Sequence, residues 1–299
     1  MFTLRQYLLA LLDSRGLTRT LGEIDVCRDE QGRPCFSAGN SAAVFRIRLG
    51  GRIRSLRCYL RPMRHLKEIY GQRLLEKELY LHTSPETGVW VDTVLGDWIE
   101  GSTLHETVAQ AAALRDRECL QILVRLFDRL ALALVTDDRA HGDLKPENII
   151  VGDDGTLCPI DFDASYLPAF AGEISPELGT AAYQHPARTA ADFDERIDDY
   201  PAALISTALH ALAENPTLWD RYGSSDGLLY TPQRIASDPA YRETLALFEK
   251  RGMAVQYRIA QLLTAPTLRL FGLAELLAEA VREKPAARSG TEAETPELF

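Results

Sequence analysis

The chain has few cysteines and no long apolar stretch, and so lacks the features that mark disulfide-bonded secreted proteins, zinc-binding proteins and membrane-spanning proteins. Its five cysteines are odd in number and no two have Cys-x-x-Cys spacing, which argues against a disulfide framework and against a zinc or redox pair. No apolar stretch reaches the ~18 residues of a membrane-spanning helix. The leucine-rich run at 8–12 lies between Arg5 and Asp13 without a following cleavage site, so it predicts a helix, not a signal peptide. We therefore expect reduced thiols and a cytoplasmic protein.

Positive charge is also scarce. Lys and Arg total 33 against 43 Asp and Glu, so the formal net charge is −10. Nucleic acid and anionic membrane surfaces attract a basic stripe, so we expect neither as a partner. Arginines do cluster between Arg46 and Arg73, which indicates either a solvated face or a patch that attracts an anionic ligand. With 46% hydrophobic and 25% charged residues in 299, the composition fits a globular protein of one large or two small domains.

The first third of the chain has the pattern of one helix followed by strands. Thr3 and Gln6 match a capping box, which predicts an N-terminal helix within residues 1–22. Short β-type runs separated by turn residues then fill residues 23–100, with a helical stretch near 63–71. We interpret this region as a five-stranded antiparallel sheet with one helix inserted after the third strand.

The next region, residues 101–282, is mostly helical. Thr103 and Glu106 form a second capping box that opens a helix through about Leu114. The segment from 118 to 136 is apolar almost all round, which predicts a helix buried on every side. Further helical patterns cover about 198–213, 239–250, 255–263 and 273–282, and we interpret residues 283–299 as a disordered polar tail.

One pair of motifs indicates chemistry. Residues 141–148 read HGDLKPEN, and Asp161 opens the triplet DFD downstream. Phosphoryl transfer needs one carboxylate to orient the attacking hydroxyl, and an amide and a second carboxylate to hold magnesium. Asp143, Asn148 and Asp161 supply those groups in the order used by protein kinases.

On these motifs the chain resembles the protein kinase-like superfamily, with features of a divergent bacterial-type Ser/Thr protein kinase. The resemblance implies an α+β, two-lobed fold, in which residues 23–100 form the nucleotide-binding small lobe and residues 101–282 form the catalytic large lobe. It implies ATP and Mg as cofactors and a protein as substrate. Asp143 would be the catalytic base, Lys145 would steady the γ phosphate, and Asn148 and Asp161 would hold the metal.

The small-lobe positions follow from the same resemblance. The stretch AGNSAAVF looks like the hairpin that grips ATP, where Gly39 opens the turn and Val44 would cover the adenine. SLRCYLR is similar to the third-strand pattern, so Arg57 stands where a lysine usually contacts phosphates. An arginine keeps the charge but has a longer, planar fork, so the replacement is not conservative.

Three further positions complete the predicted nucleotide site. Glu68 is the best candidate for the acidic side chain that orients Arg57, with a solvated helix charge as the alternative. DWIEG looks like the hinge, which would place backbone groups of Asp97 and Ile99 at the adenine edge.

Positions around the central motif extend the resemblance. His141 would pack behind the loop, and Gly142 stands where many kinases have an arginine that reads activation-loop phosphorylation. Thr180, in GTAAY, would bond the catalytic Asp and Lys, and Asp198 would anchor the loop backbone. Ala187 stands where the family has a glutamate that forms a supporting ion pair.

Three functions are compatible with these residues. The first is an ATP- and Mg-dependent Ser/Thr protein kinase. The second is a pseudokinase scaffold with weak or no catalysis, indicated by Arg57, by the single glycine of the hairpin and by Ala187. The third is a small-molecule kinase of the aminoglycoside or sugar type, indicated by the His-Gly-Asp triplet; Lys145 and GTAAY count against it.

Overall fold

The computed structural model describes residues 1–282, and the predicted tail at 283–299 lies outside them. The chain divides into two compact units, Met1–Ile99 (unit 1) and the residues from Glu100 onward (unit 2). Unit 1 consists mainly of antiparallel strands and unit 2 mainly of helices. The fold class is therefore α+β, as predicted, and it is consistent with a two-lobed kinase-like fold.

Unit 1 begins with the helix that the capping box predicted. Helix α1 spans Leu4–Leu12, and the Thr3 side chain accepts a hydrogen bond from the Gln6 N–H while Gln6 accepts one from the Thr3 N–H. Its inward side is anchored by Tyr7, which is fully buried and donates its hydroxyl to the Tyr59 carbonyl at 2.6 Å. The amphipathic spacing of this segment thus produces a helix that is packed against the sheet that follows.

The sheet of unit 1 is antiparallel throughout and five strand positions wide. Strands β1 and β2 both pair with β3 at the same edge, so six strand segments occupy five positions in the order β1/β2, β3, β4, β6, β5. The strands are β1 (Asp25–Val26), β2 (Phe36–Ala38), β3 (Ala42–Leu49), β4 (Arg52–Tyr59), β5 (Leu74–His82) and β6 (Gly88–Asp97). The predicted five-stranded sheet is confirmed, and helix α2 (Leu66–Tyr70) is inserted after β4, the third strand position along the chain.

One face of this sheet forms the core of unit 1. The period-2 alternation of β3 buries Ala43, Phe45 and Ile47 on the side of α1, together with apolar residues of the neighbouring strands. The opposite face carries Val44, Arg46 and Arg57, which are only partly buried. The predicted arginine cluster is therefore divided between the two faces, because Arg54 is directly opposite the buried Ile47 on the α1 side.

A buried glutamate interrupts the apolar core of unit 1. The pairing of β5 with β6 shifts register between Leu75 and Leu79, so the adjacent residues Glu78 and Leu79 are both buried. Glu78 accepts hydrogen bonds from the N–H groups of residues 19, 20 and 21 at 2.8–3.1 Å and from the Thr20 hydroxyl at 2.6 Å. The segment that follows α1 is thereby fastened to the sheet.

Unit 2 contains seven helices and a small three-stranded sheet within the described residues. The boundaries of the predicted helices match to within a few positions, whereas the short α6 and the sheet β7–β8–β9 were missed. The elements are β7 (Gly101–Thr103), α3 (Leu104–Leu114), α4 (Arg117–Thr136), β8 (Ile149–Gly152), β9 (Leu157–Pro159), α5 (Asp199–Glu214), α6 (Leu218–Tyr222), α7 (Pro239–Arg251), α8 (Ala254–Leu262) and α9 (Leu273–Arg282).

Helix α4 corrects one expectation. It was predicted to be buried on every side, but Gln121, Ile122, Arg125 and Arg129 are exposed along one stripe. The opposite stripe is buried, including Phe127 and Leu134. The prediction was wrong because the polar residues of this segment recur every three or four positions, which places them together on one face.

A buried polar contact joins α4 to the central helix α5. Asp128 is 3% exposed, and its carboxylate accepts hydrogen bonds from the Ser206 hydroxyl at 2.7 Å and from His210 Nε2 at 2.8 Å. Because a buried carboxylate is costly without such partners, these two hydrogen bonds compensate the burial of Asp128 between the helices. Among the residues that the structure covers, no helix combines the length and apolarity needed to cross a membrane.

Candidate functional site

Three of the predicted nucleotide-binding residues of unit 1, Gly39, Val44 and Arg57, lie on the β2–β3 hairpin and on the adjacent strand β4. The hairpin closes with a hydrogen bond from the Gly39 N–H to the Ala42 carbonyl at 2.9 Å. Val44 of β3 is directly opposite Arg57 of β4, and Arg57 is directly opposite Val94 of β6. These three side chains therefore form a row on the sheet face away from α1. An apolar surface beside a guanidinium is suited to a flat base and its phosphates.

Arg57 and Glu68 lie on different kinds of surface. The Arg57 guanidinium carbon is 6.0 Å from the centre of the Tyr59 ring, and its strand position is partly buried. Glu68 is exposed on the five-residue helix α2. The buried glutamate of unit 1 is Glu78, and its carboxylate accepts hydrogen bonds from the backbone N–H groups of residues 19–21. The predicted pairing of Glu68 with Arg57 stays a prediction.

The predicted hinge residues close unit 1. Asp97 is the last residue of β6, and its carboxylate forms an ion pair with Arg54 at 3.1 Å. Its carbonyl oxygen accepts a hydrogen bond from the Ser55 hydroxyl at 3.1 Å. Trp98 packs under the Arg46 guanidinium at 5.5 Å, and Ile99 follows as a partly buried residue. The backbone at Asp97 is held by the Ser55 side chain of the neighbouring strand β4.

In unit 2 the loop at 141–148 gathers polar groups around Asp143. One carboxylate oxygen accepts the Thr180 N–H at 2.6 Å. The other accepts a hydrogen bond from Asn148 Nδ2 at 3.2 Å and lies 3.2 Å from Lys145 Nζ. Lys145 Nζ also donates to the Thr180 hydroxyl at 2.8 Å. Three of the predicted catalytic residues and Thr180 thus form one connected cluster.

Asn148 and Asp161 are linked through the backbone. The Ile160 N–H donates to the Asn148 carbonyl at 2.8 Å, which extends the pairing of β8 with β9 by one step. Asp161 follows at once, with a positive φ of 68° that turns the chain into the short 3₁₀ segment Phe162–Ala164. A non-glycine residue in this conformation is strained by ~1–3 kcal/mol, a feature common at functional positions.

The side-chain orientation of Asn148 bears on metal binding. Its Nδ2 donates to both the carbonyl and the carboxylate of Asp143, so its Oδ1 remains available as an acceptor. Carboxamide and carboxylate oxygens are hard ligands of the kind that Mg²⁺ prefers. Within residues 1–282 no group of three or more His, Cys, Asp or Glu side chains is gathered closely enough to hold a metal. A magnesium ion here would take its remaining oxygen ligands from water or from a bound phosphate.

The buried carboxylate of Asp198 holds the backbone at the start of the 141–148 loop. Asp198 is 1% exposed and accepts the N–H groups of His141 at 2.5 Å and of Gly142 at 3.0 Å. Burial raises the pKa of the Asp198 carboxyl, and the nearby His141 and the two hydrogen bonds oppose that rise. His141 is fully buried and its Nε2 lies 2.8 Å from the Ile160 carbonyl. His141 therefore packs behind the loop and does not face solvent.

Two glycines allow the close approach of neighbouring backbone. Gly142 has φ +80°, and a Cβ there would lie 2.1 Å from the Ala164 carbonyl oxygen. Gly179 has φ +70°, and a Cβ there would lie 3.0 Å from a carboxylate oxygen of Asp143. No side chain larger than hydrogen fits at either position, so these glycines let the loop and the segment before Thr180 converge on Asp143.

The sequence did not predict the contact that Arg188 makes with the 141–148 loop. Arg188 Nη1 donates to the Gly142 carbonyl at 3.1 Å and also binds Gln184 Oε1. The interpretation of the segment around Arg188 used only Ala187, which stands where the family has a glutamate. The available signal was a lone basic residue directly after Ala187, the position at which the family's ion-pairing glutamate is missing.

Comparisons with known proteins were made for the whole chain. No protein family model matches it. It is 28% identical over 172 residues to CBL-interacting protein kinase 17 of Oryza sativa subsp. japonica, across 54% of this chain and 35% of that protein. It is 34% identical over 113 residues to serine/threonine-protein kinase PknL of Mycobacterium tuberculosis, across 36% of this chain and 27% of that protein. The chain thus spans about a third or less of the length of these relatives.

Both relatives are protein kinases by name, PknL is named a serine/threonine-protein kinase, and the identity to each is low. The α+β fold, with its five-position antiparallel sheet and its helical unit, is consistent with the same placement. This weak homology and this fold support membership of the chain in the protein kinase-like superfamily.

Proposed function

We propose that the protein is an ATP- and magnesium-dependent phosphotransferase that acts on Ser or Thr of a protein. The observation that carries the proposal is the cluster around Asp143. Its carboxylate is held on one oxygen by the Thr180 N–H and on the other by Asn148 and Lys145. A carboxylate oriented in this way is suited to accept the proton of an attacking hydroxyl.

The neighbouring groups fit the rest of the reaction. Lys145 carries a positive charge beside Asp143, where it would stabilise negative charge on the transferring phosphate. Asn148 and Asp161 would hold Mg²⁺, which bridges phosphate oxygens and neutralises their charge when it is bound. In unit 1, the row of Val44, Arg57 and Val94 is the surface proposed for the nucleotide, with Gly39 at the hairpin and the Asp97–Ile99 backbone at the base edge.

The decisive experiment replaces Asp143 by Asn, which keeps the shape and one oxygen but removes the base. We expect phosphate transfer from ATP to the protein itself, or to a generic protein acceptor, to fall by about 100- to 10,000-fold. The matched control is Asp153→Asn, because Asp153 is an exposed aspartate in the β8–β9 turn of the same unit. An unchanged transfer rate in the Asp143→Asn protein would refute the proposal.

The substrate class is tested with the same material. Mass spectrometry of the purified protein should find phosphate on Ser or Thr, and Asp161→Ala should remove it, because the metal would be lost. Consumption of ATP only with sugars, aminoglycosides or choline-like alcohols would point instead to a small-molecule kinase.

A scaffold without catalysis is the second candidate, and the observation that favours it is Arg57 with an exposed Glu68. A thermal-shift measurement with ATP and magnesium separates the two. A ligand at 100 times its dissociation constant stabilises a protein by about 2.7 kcal/mol, a shift of several degrees at this size. No shift, together with no transfer, would favour the scaffold.

A further inference from the structure

Arg188 reaches the 141–148 loop from a distant part of the chain. It follows the segment that contains Thr180, and it is 46 positions from Gly142. Its Nη1 nevertheless donates to the Gly142 carbonyl at 3.1 Å, and the Gln184 side chain holds the same nitrogen. Gln184 is itself 95% buried, so this contact is made inside the unit and not on a solvated surface.

The contact acts on the peptide group that leads into Asp143. The Gly142 carbonyl and the Asp143 N–H belong to one planar peptide. Arg188 holds the carbonyl side of this plane, and His141 Nδ1 lies 3.4 Å from the N–H side. Because a peptide plane has no internal freedom, holding both sides limits the direction in which the Asp143 side chain leaves the backbone.

A side chain at position 142 could not hold this peptide group in place of Arg188. The φ of +80° at Gly142 and the Ala164 carbonyl, 2.1 Å from where a Cβ would lie, exclude any side chain at that position. Asp198 holds the Gly142 N–H from the other direction at 3.0 Å. The carbonyl would lack a charged donor without Arg188, since the described loop contacts from Asp198 involve only N–H groups.

The charges around Arg188 explain why a guanidinium can be held here. Its Nε and Nη2 are buried and make no hydrogen bond within residues 1–282. Burial lowers the pKa of this guanidinium, while the carboxylates of Asp198 and Asp143 oppose that effect. An arginine whose hydrogen bonds are incomplete is therefore retained by neighbouring negative charge and by its contacts to Gly142 and Gln184.

We propose that Arg188 is a positioning residue that orients Asp143 through the Gly142 carbonyl. The inference rests on the proposed function, because it assigns Arg188 a part in the same phosphate transfer. Arg188 touches neither the nucleotide nor the acceptor in this role, so it acts on turnover and not on ligand binding.

The test compares three variants in steady-state phosphate transfer. Arg188→Met should lower kcat by about 100-fold, the scale expected for a misplacement of about 1 Å, and should leave KM for ATP unchanged. Arg188→Lys keeps a charged donor but not the fork, so it should recover part of kcat. The matched control is Arg196→Met, because Arg196 also donates to a backbone carbonyl, that of Val135 at 2.6 Å, but away from the loop. We expect that control to keep the wild-type kcat.

A second measurement guards against general destabilisation. Amide hydrogen exchange should become faster at Asp143 and Thr180 in Arg188→Met and stay unchanged at these amides in Arg196→Met. If the wild-type protein is active and Arg188→Met has the same kcat, this role of Arg188 is overturned and the proposed function is not. An equal kcat loss in Arg196→Met would also overturn it, because the effect would then be general. A wild-type protein without any phosphate transfer would overturn both this role and the proposed function.

Discussion

Both units fasten a backbone segment with a buried carboxylate, but they distribute the hydrogen bonds differently. In unit 1, Glu78 accepts three backbone N–H groups at a single oxygen, Oε1. In unit 2, Asp198 accepts one N–H at each of its two oxygens, from His141 and Gly142. The first arrangement secures a segment beside the sheet, whereas the second supports the loop that carries Asp143. We therefore expect a substitution of the carboxylate to be tolerated better in unit 1 than in unit 2.

The units also differ in charge. Residues 1–99 contain 15 basic and 11 acidic residues, a net charge of +4, whereas residues 100–299 contain 18 basic and 32 acidic residues, a net charge of −14. The overall value of −10 conceals this asymmetry. An anionic ligand such as a nucleotide is favoured by the field of unit 1, and a cation is favoured by that of unit 2.

The largest predicted effect comes from converting each buried carboxylate to its amide. Asp198→Asn must turn an NH₂ group toward one of two backbone N–H groups and leaves the nearby Arg188 less compensated, so we expect a loss of about 3–5 kcal/mol. Glu78→Gln can keep its oxygen at the Oε1 position, so we expect about 1–2 kcal/mol. Urea unfolding, combined with segment-resolved hydrogen exchange, measures both losses. Equal losses would contradict the distinction between the two arrangements.

An intermediate effect is expected from glycines with positive φ in the two units. Gly142→Ala adds a Cβ 2.1 Å from the Ala164 carbonyl to a strained φ of +80°, and we expect a loss of about 3 kcal/mol. Gly50→Ala, in the β3–β4 turn with φ +56° and nothing within 4 Å, should cost only the backbone strain, about 1 kcal/mol. The difference in unfolding free energy between the variants measures the close approach. A smaller loss at Gly142 than at Gly50 would show that the Ala164 segment yields easily.

The smallest predicted effect on the free energy of unfolding comes from removing one tyrosine hydrogen bond in each unit. Tyr7 of unit 1 donates to the Tyr59 carbonyl at 2.6 Å, and Tyr241 of unit 2 donates to the Ala260 carbonyl at 2.9 Å. Both rings are buried, so Phe at either position removes one hydrogen bond and leaves the packing intact. We expect about 1 kcal/mol from each in urea unfolding. Two distinct transitions in urea would indicate that the two units unfold separately, and the other comparisons would then need a reference in each unit.

Much of the secondary structure could be predicted because its determinants are local. Thr3 with Gln6 and Thr103 with Glu106 mark the starts of α1 and α3, since a capping box needs residues only three positions apart. The residues gathered around Asp143 were also recognisable, because Asp143, Lys145 and Asn148 all lie within the HGDLKPEN run. The exposed stripe of α4 was available in the spacing of its polar residues and was overlooked.

The amino-acid sequence by itself determined the helices and the alternation of the strands, because both depend on residues within a few positions. It also made Asp143, Lys145, Asn148 and Asp161 recognisable, because they lie in short motifs. Only the tertiary structure decided that Glu78 is buried, since its burial depends on a register shift between β5 and β6. It likewise decided that Arg188 meets Gly142, a contact across 46 positions. Such contacts depend on how whole elements pack, and local residue pattern carries no record of that packing.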